Sequence, residues 1–93
     1  MDPKLIELQN LLQTVGQAQP LFGSLIGQDF TKRNVQEALL SLLLELTAQL
    51  VFTPDPKACL AAELNDEIEE ILTPAPLVEL MKLIDRVIFI FIP

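Results

Sequence analysis

Val35-Gln-Glu-Ala-Leu-Leu-Ser-Leu-Leu-Leu-Glu-Leu-Thr-Ala-Gln-Leu-Val-Phe52 is the stretch on which the fold turns. At 100° per residue, the polar side of its helix is one narrow row: Asn34, Glu37, Ser41 and Glu45. Opposite lie two apolar rows, Val35, Leu39, Leu42, Leu46 and Leu50, then Leu40, Leu44 and Val51, with Leu43 between them. A surface helix carries apolar side chains around roughly a third of its circle. Here they occupy roughly two-thirds, so the helix needs cover on two sides.

The same excess recurs in Leu77 to Ile92. Glu79, Lys82, Asp85 and Arg86 form its polar row, and the rest divides into Leu80, Leu83, Ile84, Val87 and Phe91, then Leu77, Met81, Ile88 and Ile92. The end of this stretch, Val87-Ile-Phe-Ile-Phe-Ile92, is rich in β-branched and aromatic residues, so a strand competes with a continued helix there. The continued helix is the preferred reading.

Two further helices read as ordinary amphipathic ones. The first spans about residues 3 to 15, with Leu5, Leu8, Leu11, Leu12 and Val15 on one face, and is expected to stop at Gly16. The third spans about 56 to 72, with Leu60, Leu64, Ile68 and Ile71 in a stripe. The greasy helices are placed at about 31 to 52 and 75 to 91. Asp2-Pro3, Asp55-Pro56 and Thr73-Pro74 each put a side-chain oxygen just before a proline, the pairing expected of an N-cap and first helical position. Residues 16 to 28 contain all the glycines and Pro20, and read as a loop with room for one short helical turn, anchored by Leu21, Phe22, Leu25 and Ile26. The expected architecture is a single all-α domain, a small four-helix bundle-like arrangement associating through its second and fourth helices.

Composition narrows the function. The chain has 93 residues, is 51% hydrophobic, and carries a net charge of −7. Its pI is near 4.3 and its mean hydropathy +0.42. Such a charge repels phosphate backbones and anionic membrane surfaces on average, which argues against nucleic acid as a partner. The longest uncharged run, Leu8 to Gln28, is broken by Asn10, Thr14, Ser24, several glutamines, glycines and a proline, too polar for a transmembrane segment. The lone Cys59 and the absence of a signal-like start suit a reducing, cytoplasmic setting.

Chemistry-bearing residues are sparse. With no histidine, Cys59 lacks the base a thiol nucleophile needs, and the commonest metal ligand is missing. No glycine pattern matches a phosphate-binding loop. No catalytic residue, metal or cofactor is expected, and the chain does not read as an enzyme. The dense polar feature is an acidic stripe, Glu63, Asp66, Glu67 and Glu70, with Glu69 beside it. Like charges at i and i+4 cost roughly 0.2 to 0.5 kcal/mol per pair, so the stripe either solubilises the chain or docks a basic partner.

The surplus apolar rows are the stronger signal. Leaving Leu40, Leu44, Val51, Leu77, Met81, Ile88 and Ile92 wet forfeits about 1.5 to 3 kcal/mol per side chain, which together rivals a small domain's whole stability of about 5 to 15 kcal/mol. These residues are the expected interface; the alternative is a compact four-helix arrangement that wraps the second and fourth helices enough to bury both rows internally. The sequence reads as a protein–protein interaction module, a small adaptor, regulator or assembly factor that pairs with itself as a homodimer or with another protein. Two other readings compete: an acidic inhibitor or immunity-type protein using Glu63 to Glu70, and a peripheral lipid-associated helical protein touching membranes through Leu21 to Ile26 or Val87 to Ile92.

Overall fold

The computed structural model describes residues 2 to 92. They form an all-α fold of four α-helices and one 3-10 helix, with no strand among the described residues. Helix α1 is Pro3–Ala18, followed by a 3-10 helix at Pro20–Leu25; α2 is Arg33–Val51, α3 Ala58–Glu69 and α4 Leu77–Phe91.

Local chemistry sets one of the helix starts as expected. The Asp2 carboxylate accepts the Lys4 N–H at 2.9 Å, and Pro3 occupies the first position of α1. The Asp55-Pro56 start is corrected: Asp55 accepts the Lys57 N–H at 2.7 Å, but Asp55 and Pro56 lie in a turn ahead of α3, which begins at Ala58 after Lys57 with no side-chain cap. The third expected cap is corrected. Thr73 precedes a cis Thr73–Pro74 peptide and its hydroxyl donates to Glu37 Oε1 at 3.2 Å; α4 begins later, after an extended Pro76, with no side-chain cap.

Other boundaries also move. Helix α1 does not stop at Gly16 but runs one turn further, to Ala18. The short helical turn expected within the loop is the 3-10 helix, which buries Phe22 and Leu25. Helix α3 ends at Glu69, short of Leu72. The tail resolves as helix through Phe91, with Ile92 extended at its C-cap.

The backbones pair as α2 with α3 and α1 with α4; α3 and α4 meet more lightly, and the 3-10 helix closes against α1 and α2. Helices α2 and α4 are therefore not each other's nearest neighbours. Their buried faces still meet in one core of Leu8, Leu12, Phe22, Phe30, Leu39, Leu43, Leu64, Leu80, Ile84 and Val87, with further leucines and isoleucines around it. The radius of gyration, 12.5 Å, matches the value of about 12 Å expected for a folded chain of this length, so the two greasy helices are wrapped rather than splayed.

Wrapping accounts for much of the excess on α2. Helix α3 lies along its second apolar row: Asn65 Nδ2 donates to the Leu44 carbonyl at 3.2 Å and to Thr47 Oγ1 at 2.9 Å. Ala61, one turn before Asn65, is fully buried. Thr47, itself fully buried, donates to the Leu43 carbonyl at 2.9 Å, so no polar atom there is left alone.

Two glutamines hold the connections. Gln36, 1% exposed, donates to the Phe30 carbonyl at 2.7 Å and the Ala75 carbonyl at 3.0 Å and accepts the Ala75 N–H at 2.7 Å. Gln9 donates to the Gln28 carbonyl at 2.7 Å and accepts the Gly27 N–H at 2.8 Å. Each amide supplies loop backbone with partners that no helix or strand provides there.

Candidate interaction surface

Helix α4 presents a candidate surface. Its buried residues, Leu80, Leu83, Ile84, Val87 and Ile90, share one side when plotted at 100° per residue. The opposite side is a spine of Val78, Lys82, Asp85 and Phe89, all exposed. Val78 is 38% and Phe89 65% exposed. Half-buried Met81, Ile88 and Ile92 border the spine along one edge, and Glu79 and Arg86 along the other.

A furrow runs along each side of α4. One, of about 620 Å³, separates it from the end of α3 and is lined by Glu67, Glu70, Ile71, Glu79, Lys82 and Arg86, among others. The other, of about 340 Å³, separates it from α1 and is lined by Glu7, Asn10, Leu11, Thr14, Met81 and Asp85. Helix α4 thus stands as a ridge between two grooves.

At its C-terminal end the ridge is tied to α3. Lys57 Nζ donates to the Phe89 carbonyl at 2.9 Å and lies 5.2 Å from the centroid of the Phe89 ring. That carbonyl is in the last turn, where intrahelical donors run out, so the ammonium both caps α4 and covers one side of the ring. Arg86 forms a salt bridge with Glu67 of α3.

The expected interface residues fall into two groups. Leu40 is 7% exposed and belongs to the chain's own core; it does not face outward, because α3 and the segment held by Gln36 cover that side of α2. Leu44, Val51, Leu77, Met81, Ile88 and Ile92 are half-buried. The most exposed large apolar side chains are others: Phe52 at 89%, Leu72 at 86%, Leu21 at 66% and Phe89 at 65%. Sequence reasoning passed over Val78 and Phe89, although both share the angle of Lys82 and Asp85; sorting by polarity before angle hid them.

The acidic stripe is outward, with Glu63, Asp66, Glu67 and Glu70 all exposed. Glu67 is engaged by Arg86, which reduces the field a basic partner would meet. Among the described residues no group of three or more His, Cys, Asp or Glu is placed to hold a metal ion, and Cys59 is exposed and unbridged. No described helix is long and apolar enough to cross a membrane. Asp29, before α2, has its carboxyl held below the ordinary value by the Thr31 hydroxyl and then by the Thr31 N–H, at 2.6 and 3.0 Å; both bonds organise a turn.

No family model matches the chain, and comparison with curated proteins and with solved structures finds no match.

Proposed function

We propose that the chain is a non-enzymatic protein–protein interaction module, a small cytoplasmic adaptor, regulator or assembly factor that works by covering α4 with another protein surface. The observation carrying this reading is the outer side of α4, where exposed Val78 and Phe89 adjoin half-buried Met81, Ile88 and Ile92. Single exposed apolar side chains are ordinary on monomers, but here each exposed one is joined to half-buried neighbours on the same side of the helix, Val78 to Met81 and Phe89 to Ile88 and Ile92. Burying a Phe or Val side chain fully stabilises a complex by about 1.5 to 3 kcal/mol.

Sedimentation velocity at micromolar concentration tests the reading, alongside binding of a fluorescent apolar dye. The expected result is a dimer or larger species, or a monomer whose exposed patch binds the dye. A clean monomer with no dye binding overturns it.

A further inference from the structure

We infer that the partner of α4 is α4 of a second copy, packed antiparallel about a two-fold axis midway between residues 83 and 84. The inference rests on the interaction reading above and specifies its partner and register. Along the outward spine the residues run Val78, Lys82, Asp85, Phe89, in the order apolar, cation, anion, apolar. Their spacings are four, three and four, which read the same in both directions. Turning one copy end over end about the midpoint sets Val78 against Phe89 of the second copy, and Lys82 against Asp85 of the second copy. The same operation repeats each contact, as a closed two-fold interface requires. Antiparallel packing also opposes the two helix dipoles.

Charge permits a second copy at this face: α1 is balanced by one pair of opposite sign, Lys4 with Glu7, and α4 by two. Each chain carries −7, so most of its surface repels its twin. Helix α3 concentrates that repulsion, with Glu63, Asp66, Glu67 and Glu69 and no basic residue between Ala58 and Glu69. Helix α4 has two acids and two bases, Glu79, Asp85, Lys82 and Arg86, and is balanced. Arg86 is taken by Glu67. Lys82 and Asp85 have no ion pair among the described residues, which leaves both for a partner. The spine from Val78 to Phe89 covers about 16 Å at 1.5 Å per residue, three turns of contact.

Charge exchange provides the test. Sedimentation equilibrium is run on the unaltered chain, on Lys82→Glu, on Asp85→Lys and on the double variant, with circular dichroism confirming the helices at these exposed positions. Each single change sets like charges together twice across the axis and is expected to weaken the dimer about tenfold. The double variant reverses the order to anion then cation, restoring both pairs, and is expected to recover the original affinity. In a Cys59→Ser background, mixing Val78→Cys chains with Phe89→Cys chains is expected to give a mixed disulfide dimer faster than either gives its own. If the unaltered chain dimerises but the double variant stays as weak as the singles, the antiparallel register is overturned and the interaction reading survives. A monomeric chain that binds the apolar dye overturns self-pairing alone, and one that does not bind it overturns both.

Discussion

The side chain of Gln36 pairs with both backbone groups of Ala75, accepting its N–H at 2.7 Å and donating to its carbonyl at 3.0 Å. With its second amide hydrogen given to the Phe30 carbonyl, one buried side chain locks the segment entering α2 to the segment entering α4. Gln36→Met keeps the volume and removes every bond. Each buried backbone group left without a partner costs about 1 to 3 kcal/mol, partly relieved by water at the loops, so a loss of about 2 to 4 kcal/mol is expected in urea denaturation. Gln36→Glu retains the acceptor for Ala75 N–H but cannot donate to the two carbonyls while ionised. Burial and those carbonyls raise the carboxyl's folded-state pKa above its unfolded value, so this variant gains relative stability as pH falls toward about 4 and loses it as pH rises. A flat pH response would contradict that geometry.

Gln36 also marks where the sequence stopped being legible. Its partners lie 6 and 39 residues away, and nothing local distinguishes it from the exposed glutamines of α1. The helical periods of Leu39, Leu43 and Leu46, or of Leu80, Ile84 and Val87, reveal core directly, because a buried face repeats along its own helix. Leu40 shows the limit of that signal. Its row is apolar whether α3 or another molecule covers it, and only the return of α3 along α2, fixed by Asn65 on Leu44 and Thr47, decides the matter. Asp2-Pro3 was readable because its cap bonds two residues on; Asp55 bonds the same way, but into a turn ahead of α3, and the Thr73 hydroxyl bonds a helix 36 residues earlier.

Gly16 and Gly27 are expected to respond in opposite ways to alanine. Gly16 lies inside α1, and a Cβ there would come 3.3 Å from Ile26 Cδ1, the tip of a side chain that is itself 36% exposed and free to give. Gly16→Ala therefore gains helix propensity and stabilises by about 0.5 to 1 kcal/mol. Gly27 has φ of 87°, a conformation that L residues avoid, and its N–H is held by Gln9. Gly27→Ala meets no atom but strains the backbone, destabilising by about 1 kcal/mol. Thermal unfolding of the two variants side by side checks the contrast.

Asp29 supplies a pH dependence of predictable sign. Its carboxyl is held below the ordinary 3.8, chiefly by the Thr31 hydroxyl and then by the Thr31 N–H. A folded-state value below the unfolded one means that its contribution is present above pH 4 and is lost as pH falls through the folded value. Asp29→Asn keeps an acceptor oxygen yet cannot titrate. Its unfolding midpoint in urea is expected to lie below the parent's at pH 7, with the gap closing as pH falls from 4 toward 2.5. An identical acid limb for the two chains would show that the Thr31 bonds do not act on the carboxylate in solution.

Phe52 and Phe89 separate general greasiness from a specific interface. Both are exposed, Phe52 at 89% and Phe89 at 65%, and removing either lowers apolar surface by a similar amount. Phe52 follows the end of α2, away from the spine of α4 in sequence register, whereas Phe89 closes that spine and faces Val78 of the second copy in the antiparallel arrangement. Phe52→Ser is expected to raise solubility and leave the dimer constant within twofold. Phe89→Ser removes two symmetry-related apolar contacts, each worth about 1.5 to 3 kcal/mol when fully buried, and is expected to make the chain monomeric at micromolar concentration. Lys57 still reaches the Phe89 backbone carbonyl in that variant, because the bond does not involve the ring, so α4 keeps its cap and the loss is read in association rather than in unfolding. Equal effects of the two changes in sedimentation equilibrium would mean that association follows total exposed area and not the α4 face.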